Sequence, residues 1–110
     1  MSAQVVYAEQ IKTLANGSIG ASYAAVGSAF SEACRIVTII NGTDGDMLFS
    51  LDGSTDHLFL PARTPQLFDW NANRDRVNNF WVMAPGTQIF VKQSTAPSSG
   101  AVYVECFYGG

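Results

Sequence analysis

The sequence predicts an all-β protein: an antiparallel β-sandwich of about seven or eight strands, jelly-roll-like or Ig-like. Short runs rich in Val, Ile, Phe, Tyr and Thr alternate along the chain with clusters of Gly, Asn, Asp, Pro and Ser. β-branched and aromatic residues suit a pleated, half-buried surface, and turn clusters at regular spacing are typical of sandwiches and barrels. Helix signals are weak, because the candidate turn between Ser28 and Ala33, with Ser31 as its cap, is too short to be stable alone.

The first strands can be placed from their residue patterns. QVVYAEQIKTL, from Gln4 to Leu14, fits a strand better than an amphipathic helix. Its apolar residues match neither the strand period nor the helix period perfectly. CRIVTII, from Cys34 to Ile40, reads as one continuous strand, as expected at the centre of a sheet.

The last two strands alternate, but neither of their faces is cleanly polar. In TQIFVKQ, Ile89 and Val91 are expected to point inward, with Gln88, Phe90 and Lys92 outward. In VYVECFY, Val102, Val104, Cys106 and Tyr108 share one face, and Tyr103, Glu105 and Phe107 share the other. This pattern predicts a strand covered on both sides, by a second sheet or by a neighbouring chain.

The stretch MLFSLDGSTDHLFLPA, from Met47 to Ala62, has the pattern of a β-hairpin. MLFSL and HLFLP are the predicted strands, and DGSTD is their loop. Gly53 would supply a positive φ, and the Asp and Ser side chains would accept hydrogen bonds from nearby backbone N–H groups. Pro61 would end the second strand. We therefore interpret the stretch as a structural hairpin that joins two strands.

Metal binding and catalysis fit the same stretch poorly. As an EF-hand loop, DGSTDHLFLPAR has Gly at its second position instead of its sixth and Arg at its twelfth. One His and two Cys in separate strands do not make a zinc site. Adjacent residues on an extended chain point to opposite faces, so Asp56 would not orient His57 as in a hydrolase triad.

The sequence therefore predicts a protein that is not an enzyme and has no cofactor. One alternative stays open: a calcium site of another kind, built between two loops. Its candidate ligands are Asp44, Asp46, Asp52 and Asp56.

Composition limits the classes of partner and the location. A chain of 110 residues predicts a single domain over residues 1–110, with residues 1–15 as an N-terminal interaction arm. Charged residues make up only 14%, so neighbouring subunits are expected to cover part of the surface. A net charge of −3 without a basic stripe argues against nucleic acid. The sequence shows no signal peptide and no membrane span, which predicts cytoplasmic synthesis without secretion.

The two cysteines, Cys34 and Cys106, are far apart and lie inside apolar strands. Cytoplasmic synthesis favours two buried free thiols that behave as small hydrophobic residues. A disulfide would require close, opposed Cβ atoms, which no sequence pattern demonstrates.

The second conspicuous stretch is PQLFDWNANRDRVNNFWVMAPG, from Pro65 to Gly86. Its aromatic residues either fill the core beneath a long connection or form a contact surface, because Trp, Phe and Arg are enriched at interface centres. The predicted partner-binding residues are Tyr7, Phe68, Trp70, Arg74, Phe80 and Trp81. The same aromatic residues, with Asn71, Asn73, Asn78 and Asn79 nearby, would also suit a carbohydrate-binding module.

The run IINGTDGDMLFSLDGSTDHLFLPA, with GTQIFVKQ and APSSGAVYVECFY after it, resembles small virion proteins of tailed bacteriophages. The shared pattern is N-x-T-D, S-x-D-G-x-T-D, P-A, G-T-Q-x-x-V and S-G-x-V-Y-x-E. In this chain it falls at Asn41–Asp44, Ser50–Asp56, Pro61–Ala62, Gly86–Val91 and Ser99–Glu105. The likeness covers about two-thirds of the chain and rests on turn and strand residues.

The resemblance implies a podovirus-like virion structural protein with a β-sandwich fold, present in several copies. Such a protein would self-associate as a homo-oligomer and dock on other virion proteins at the neck or tail, as a fibre, collar or head–tail connector component. A capsid decoration (cement) protein is the alternative within this class. The alternative from another class is a carbohydrate-binding module that recognises host-surface glycan.

Overall fold

The computed structural model describes residues 5–70 and 82–109, and it confirms a nearly all-β chain with antiparallel sheets. Nine strands lie within the described residues: β1 (Val6–Ala8), β2 (Lys12–Ala15), β3 (Ala24–Ala25), β4 (Ile36–Asn41), β5 (Met47–Ser50), β6 (Leu58–Leu60), β7 (Thr64–Asp69), β8 (Phe90–Gln93) and β9 (Ala101–Gly109). A short 3₁₀ helix, η1, covers Asn16–Ser18. Residues 28–33, which were considered for one helical turn, are irregular in the structure.

Sheet A has the strand order β1-β9-β4-β7, and β2 also pairs with β9. The central position of β4 confirms the prediction for CRIVTII. The first segment is a strand, as predicted, but it is broken in two. Ala8 is paired with Phe107 and Lys12 with Val104, so three residues face two on β9 and form a β-bulge.

Sheet B has the strand order β3-β8-β5-β6, and its β5–β6 pair is the predicted hairpin. The core lies between the two sheets and receives the buried side chains of both. Sheet A contributes Val37, Ile39, Val102 and Val104, and sheet B contributes Met47, Phe49, Leu60 and Val91. These positions follow the period of two that separates the faces of a strand. The inward positions predicted for Ile89 and Val91 are confirmed, since both are buried.

The prediction of two free thiols was wrong. Cys34 and Cys106 are buried, as expected, but they form a disulfide between residues 72 positions apart in sequence. Cys106 points inward from β9, and Cys34 lies two residues before β4, which pairs with β9. This pairing brings the two Cα atoms to 5.7 Å, within the range that a disulfide requires.

Candidate functional site

The predicted partner-binding residues fall in separate places. Tyr7 is exposed on β1, and its ring stacks on that of Tyr108 at 5.5 Å between centroids. Phe68 and Trp70 stack on each other at 5.4 Å, half-buried against the core. Strands β9 and β4 lie between Tyr7 and this aromatic pair. Arg74, Phe80 and Trp81 lie outside the described residues, and a partner-binding role for all six stays a prediction.

The loop of the β5–β6 hairpin is held by its own side chains, as predicted. Ser50 Oγ accepts hydrogen bonds from the backbone N–H groups of Asp52 and Gly53 at 3.2 and 2.9 Å. Asp52 Oδ1 accepts from the backbone N–H groups of Ser54 and Thr55, both at 2.8 Å. These bonds to its charged form hold the pKa of the Asp52 carboxyl well below its usual range. Gly53 has the expected positive φ of 82°.

Asp56 and His57 make separate contacts. His57 Nδ1 accepts a hydrogen bond from the backbone N–H of Leu51 at 3.0 Å. Asp56 Oδ1 accepts from the Tyr23 hydroxyl at 2.5 Å and lies 3.1 Å from Lys92 Nζ. The Tyr23 hydrogen bond, followed by Lys92, lowers the pKa of Asp56, while burial and the Asp56 carboxylate raise that of Tyr23. The Asp56 carboxylate is therefore directed at Tyr23 and Lys92 and does not orient the imidazole of its neighbour.

A second polar cluster lies at the other end of β5. We call it the polar latch, and it consists of Asn41, Thr43, Asp44 and Asp46. Asn41 is fully buried, and its Nδ2 donates to the carbonyl oxygens of Gly45, Leu60 and Pro61 at 2.9 to 3.0 Å. Its Oδ1 accepts from the backbone N–H and the hydroxyl of Thr43. One buried amide therefore joins the β4–β5 loop to the end of β6.

The two aspartates of the polar latch bind neighbouring loops through backbone N–H groups. Asp44 Oδ1 accepts from Ser98 N and Ser99 N at 2.7 and 3.2 Å, and Asp44 Oδ2 accepts a short hydrogen bond from Ser98 Oγ. Asp46 Oδ1 accepts from Ala62 N at 3.0 Å. The Ser98 hydroxyl and these N–H groups lower the pKa of Asp44 from 3.8 to about 2. Both carboxylates therefore fasten loops to one another.

We expect thermal stability to fall as the pH drops from about 4 to about 2. The folded-state pKa of Asp44 is depressed, so its contribution is fully present above the unfolded-state value of 3.8 and is lost as the pH falls through the folded value. Asp44→Asn should lower the melting temperature at pH 7 and flatten its fall below pH 4. Differential scanning fluorimetry against pH measures this, with Glu32→Gln, an exposed carboxylate on another loop, as the control. An unchanged slope in Asp44→Asn would contradict the assignment.

Within residues 5–70 and 82–109, three potential metal-ligand atoms converge at one place. They belong to Glu9, Cys34 and Cys106 and lie within 4.8 Å of one another. The two sulfurs are joined in the disulfide, and Glu9 Oε2 accepts from Ser31 N and Glu32 N at 3.1 and 3.0 Å. The two sulfurs and the Glu9 carboxylate are therefore already bonded within the protein. The four candidate ligands of the calcium alternative all lie within the described residues, and they are not part of any group of three converging ligand atoms found there.

The outer face of sheet A is apolar and uncovered by the described chain. In β4, Ile36, Thr38 and Ile40 alternate with buried residues and so point away from the core. The register places Ile36 beside Phe107 and Ile40 between Tyr103 and Pro65. Leu67 and Tyr103 are 57% and 36% exposed. We call this surface the outer apolar face; its residues are Ile36, Ile40, Pro65, Leu67, Tyr103 and Phe107.

Only part of this face was visible in the sequence. The lack of a polar side in VYVECFY predicted a second covered face on β9, and Tyr103 and Phe107 lie on it. Ile36, Ile40 and Leu67 were missed as surface residues, although apolar residues at alternate positions on both sides of β4 were the signal for them. Glu105 and Asp69 place carboxylates among these residues, so the face is apolar with few charges.

No family model, curated protein or solved structure matches this chain. Among the described residues, no helix is both long enough and apolar enough to cross a bilayer.

Proposed function

We propose that this chain is a non-enzymatic structural subunit that self-associates and docks on a larger assembly through the outer apolar face. The setting that we propose is the virion of a tailed bacteriophage, with the chain as a multicopy neck or tail component. The exposed apolar side chains of the outer apolar face are the observation that supports self-association. The likeness of the turn and strand motifs to small virion proteins is what supports the phage setting.

The energetics of burial favour an interface on this face. An interface of standard size buries roughly 800 Å² on each partner. That is about one eighth of the 6368 Å² surface of this chain. Aromatic and aliphatic side chains exposed together on such a face mark a contact surface, since each gains free energy on leaving water.

The disulfide supports a location outside a reducing compartment. Disulfides persist in secreted proteins and on virion surfaces, whereas cytosolic thiols are kept reduced. Synthesis in the host cytoplasm and oxidation after release would account for a buried Cys34–Cys106 bond. We therefore propose the virion as the location of the mature protein.

Charges placed on the outer apolar face should weaken self-association. Leu67→Lys or Tyr103→Lys would require an ammonium group to be desolvated in the interface, and each should raise the dissociation constant about tenfold or more. Phe59→Lys is the matched control, because Phe59 is 49% exposed on β6 of the other sheet. Sedimentation velocity over a concentration series measures the effect. An oligomer that persists in both sheet A variants and is lost in Phe59→Lys would assign the interface to sheet B instead.

The number of copies in purified particles tests the phage setting. Quantitative mass spectrometry should find from about six to a few dozen copies, as expected for a ring or fibre component with cyclic symmetry. Hundreds of copies would instead support the capsid decoration alternative. A chain absent from the particles would contradict a virion role.

The carbohydrate-binding alternative has one supporting observation. The Phe68 and Trp70 rings are within 10° of parallel. However, they stack on each other, which leaves fewer open ring faces for sugars than two rings lying side by side. Quenching of tryptophan fluorescence by host polysaccharides, abolished in Trp70→Ala, would favour this alternative over a purely structural role.

A further inference from the structure

We propose that the cavity between the two sheets binds a small, neutral, flat aromatic molecule of one or two rings. The cavity has a volume of about 250 Å³. Its apolar lining comes from both sheets and from the segment that leads to β8. The principal lining residues are Phe49, Leu58, Phe68, Trp70, Met83 and Ile89.

The size of the cavity sets the size of the ligand. Protein interiors are close-packed, with few voids larger than a water molecule. An apolar cavity of about 150 Å³ stays dry and binds benzene. At about 250 Å³, this cavity is larger, is partly open with the exposed residues Leu51 and His57 in its lining, and suits a two-ring molecule such as indole.

The chemistry of the walls favours a neutral aromatic ligand. Among the described residues that line the cavity there is no Asp, Glu, Lys or Arg, so a charged ligand would lose its hydration without a partner among them. The stacked rings of Phe68 and Trp70 and the thioether of Met83 are groups that contact aromatic guests favourably.

Among the described lining residues, the polar groups of Ser50 and His57 differ in how far they are already bonded. Ser50 Oγ is already engaged, because it donates to Asp52 Oδ1 and accepts from two backbone N–H groups. His57 Nδ1 accepts from Leu51 N, which selects the neutral tautomer with its proton on Nε2. Nε2 has no partner among the described residues. As an N–H donor, it would bind an acceptor atom or the π face of the ligand.

This site is independent of the proposed self-association. The cavity lies on the inner side of sheet A, whereas the outer apolar face lies on the other side of the same strands. Ligand binding and oligomer formation can therefore fail separately.

Titration of the ¹⁵N-labelled full chain with indole, followed by heteronuclear NMR, tests the proposal. We expect saturable shifts at the amides of Leu51, His57, Leu58 and Met83. Indole-3-carboxylate, which carries a charge, should bind at least tenfold more weakly. An absence of saturable shifts, or equal binding of the carboxylate, would overturn the proposal.

Variants that fill the cavity provide a second test of the proposal. Leu58→Phe and Met83→Phe add volume from different sides, and each should weaken indole binding at least tenfold. Leu48→Phe is the matched control, since Leu48 alternates with buried Met47 and Phe49 and points to the other face of β5. The NMR spectrum of each variant confirms its fold. Binding that is unchanged in both filled variants would place indole elsewhere and overturn the site.

The role of His57 is tested by His57→Asn. The Asn side chain keeps an acceptor near the position of Nδ1 for Leu51 N and removes Nε2. We expect the wild type to prefer quinoline, whose ring nitrogen accepts a hydrogen bond, over naphthalene, which has a similar size and no acceptor, and the variant to lose this preference. A preference that is unchanged would overturn the part assigned to His57.

Discussion

Replacing Asn41 with Ala is expected to destabilise the fold by about 3–4 kcal/mol, a large effect for a single substitution. The two N–H hydrogens of the Asn41 amide are shared among three carbonyl oxygens, and its oxygen accepts two hydrogen bonds from Thr43. The side chain is fully buried, so water does not replace the lost partners without opening the structure. The carbonyl groups of Gly45, Leu60 and Pro61 would lose this donor.

Urea unfolding of wild type and variant measures this loss. Asn16→Ala is the matched control, because Asn16 Nδ2 donates to a single carbonyl, that of Gly100, in an exposed position. The control should lose about 1 kcal/mol or less. Similar losses in the two variants would show that the polar latch contributes no more than a surface hydrogen bond.

Asn41→Asp separates the donor role from the acceptor role. A carboxylate retains an acceptor for Thr43 but directs negative charge at three carbonyl oxygens. We expect it to be at least as destabilising as Ala at pH 7, and to regain stability when acid protonates the carboxylate. A variant that is as stable as wild type at pH 7 would contradict the donor role of Nδ2.

Removal of the disulfide is expected to cost about 4 kcal/mol of unfolding free energy. The bond closes a loop of 72 residues, and the loop-entropy relation gives a stabilisation of about that size. The double variant Cys34→Ala/Cys106→Ala should therefore unfold at a much lower urea concentration. Both residues are buried, so their replacement also removes packing.

Chemical reduction provides the control that isolates the bond. Wild type with a strong thiol reductant should approach the stability of the double variant, while the double variant should not respond to the reductant. A wild-type transition that reductant leaves unchanged after complete thiol release, verified by alkylation and mass spectrometry, would contradict a stabilising role for the bond.

The disulfide also illustrates a limit of inference from local sequence. Burial of both cysteines followed from the apolar strands around them, because the residue types near a strand position report how deeply it is buried. Their pairing depended on the register between β4 and β9, which joins segments about seventy residues apart. No local sequence pattern shows which distant strands pair or in which register. The same sequence features therefore fit two free thiols and a disulfide equally well.

The candidate sites show the same division. The Asp52 bonds of the hairpin loop join residues two and three positions apart, and the DGSTD pattern predicted bonds of this kind. The bonds of the polar latch to Ser98 and Leu60 span tens of residues, so the NGTDGD stretch was recognised as a turn but not as a junction of loops. The cavity is lined by both sheets and had no sequence signal at all.

The sequence by itself determined the all-β class, the hairpin, the position of β4 as a central strand and the inward positions of Ile89 and Val91. Each follows from local chemistry: side-chain alternation, turn residues and strand propensity act over a few neighbouring residues. Only the tertiary structure decided the strand order, the disulfide, the polar latch, the cavity and the full extent of the outer apolar face. These depend on which distant segments meet, and that is decided when the two sheets bury their inner faces against each other.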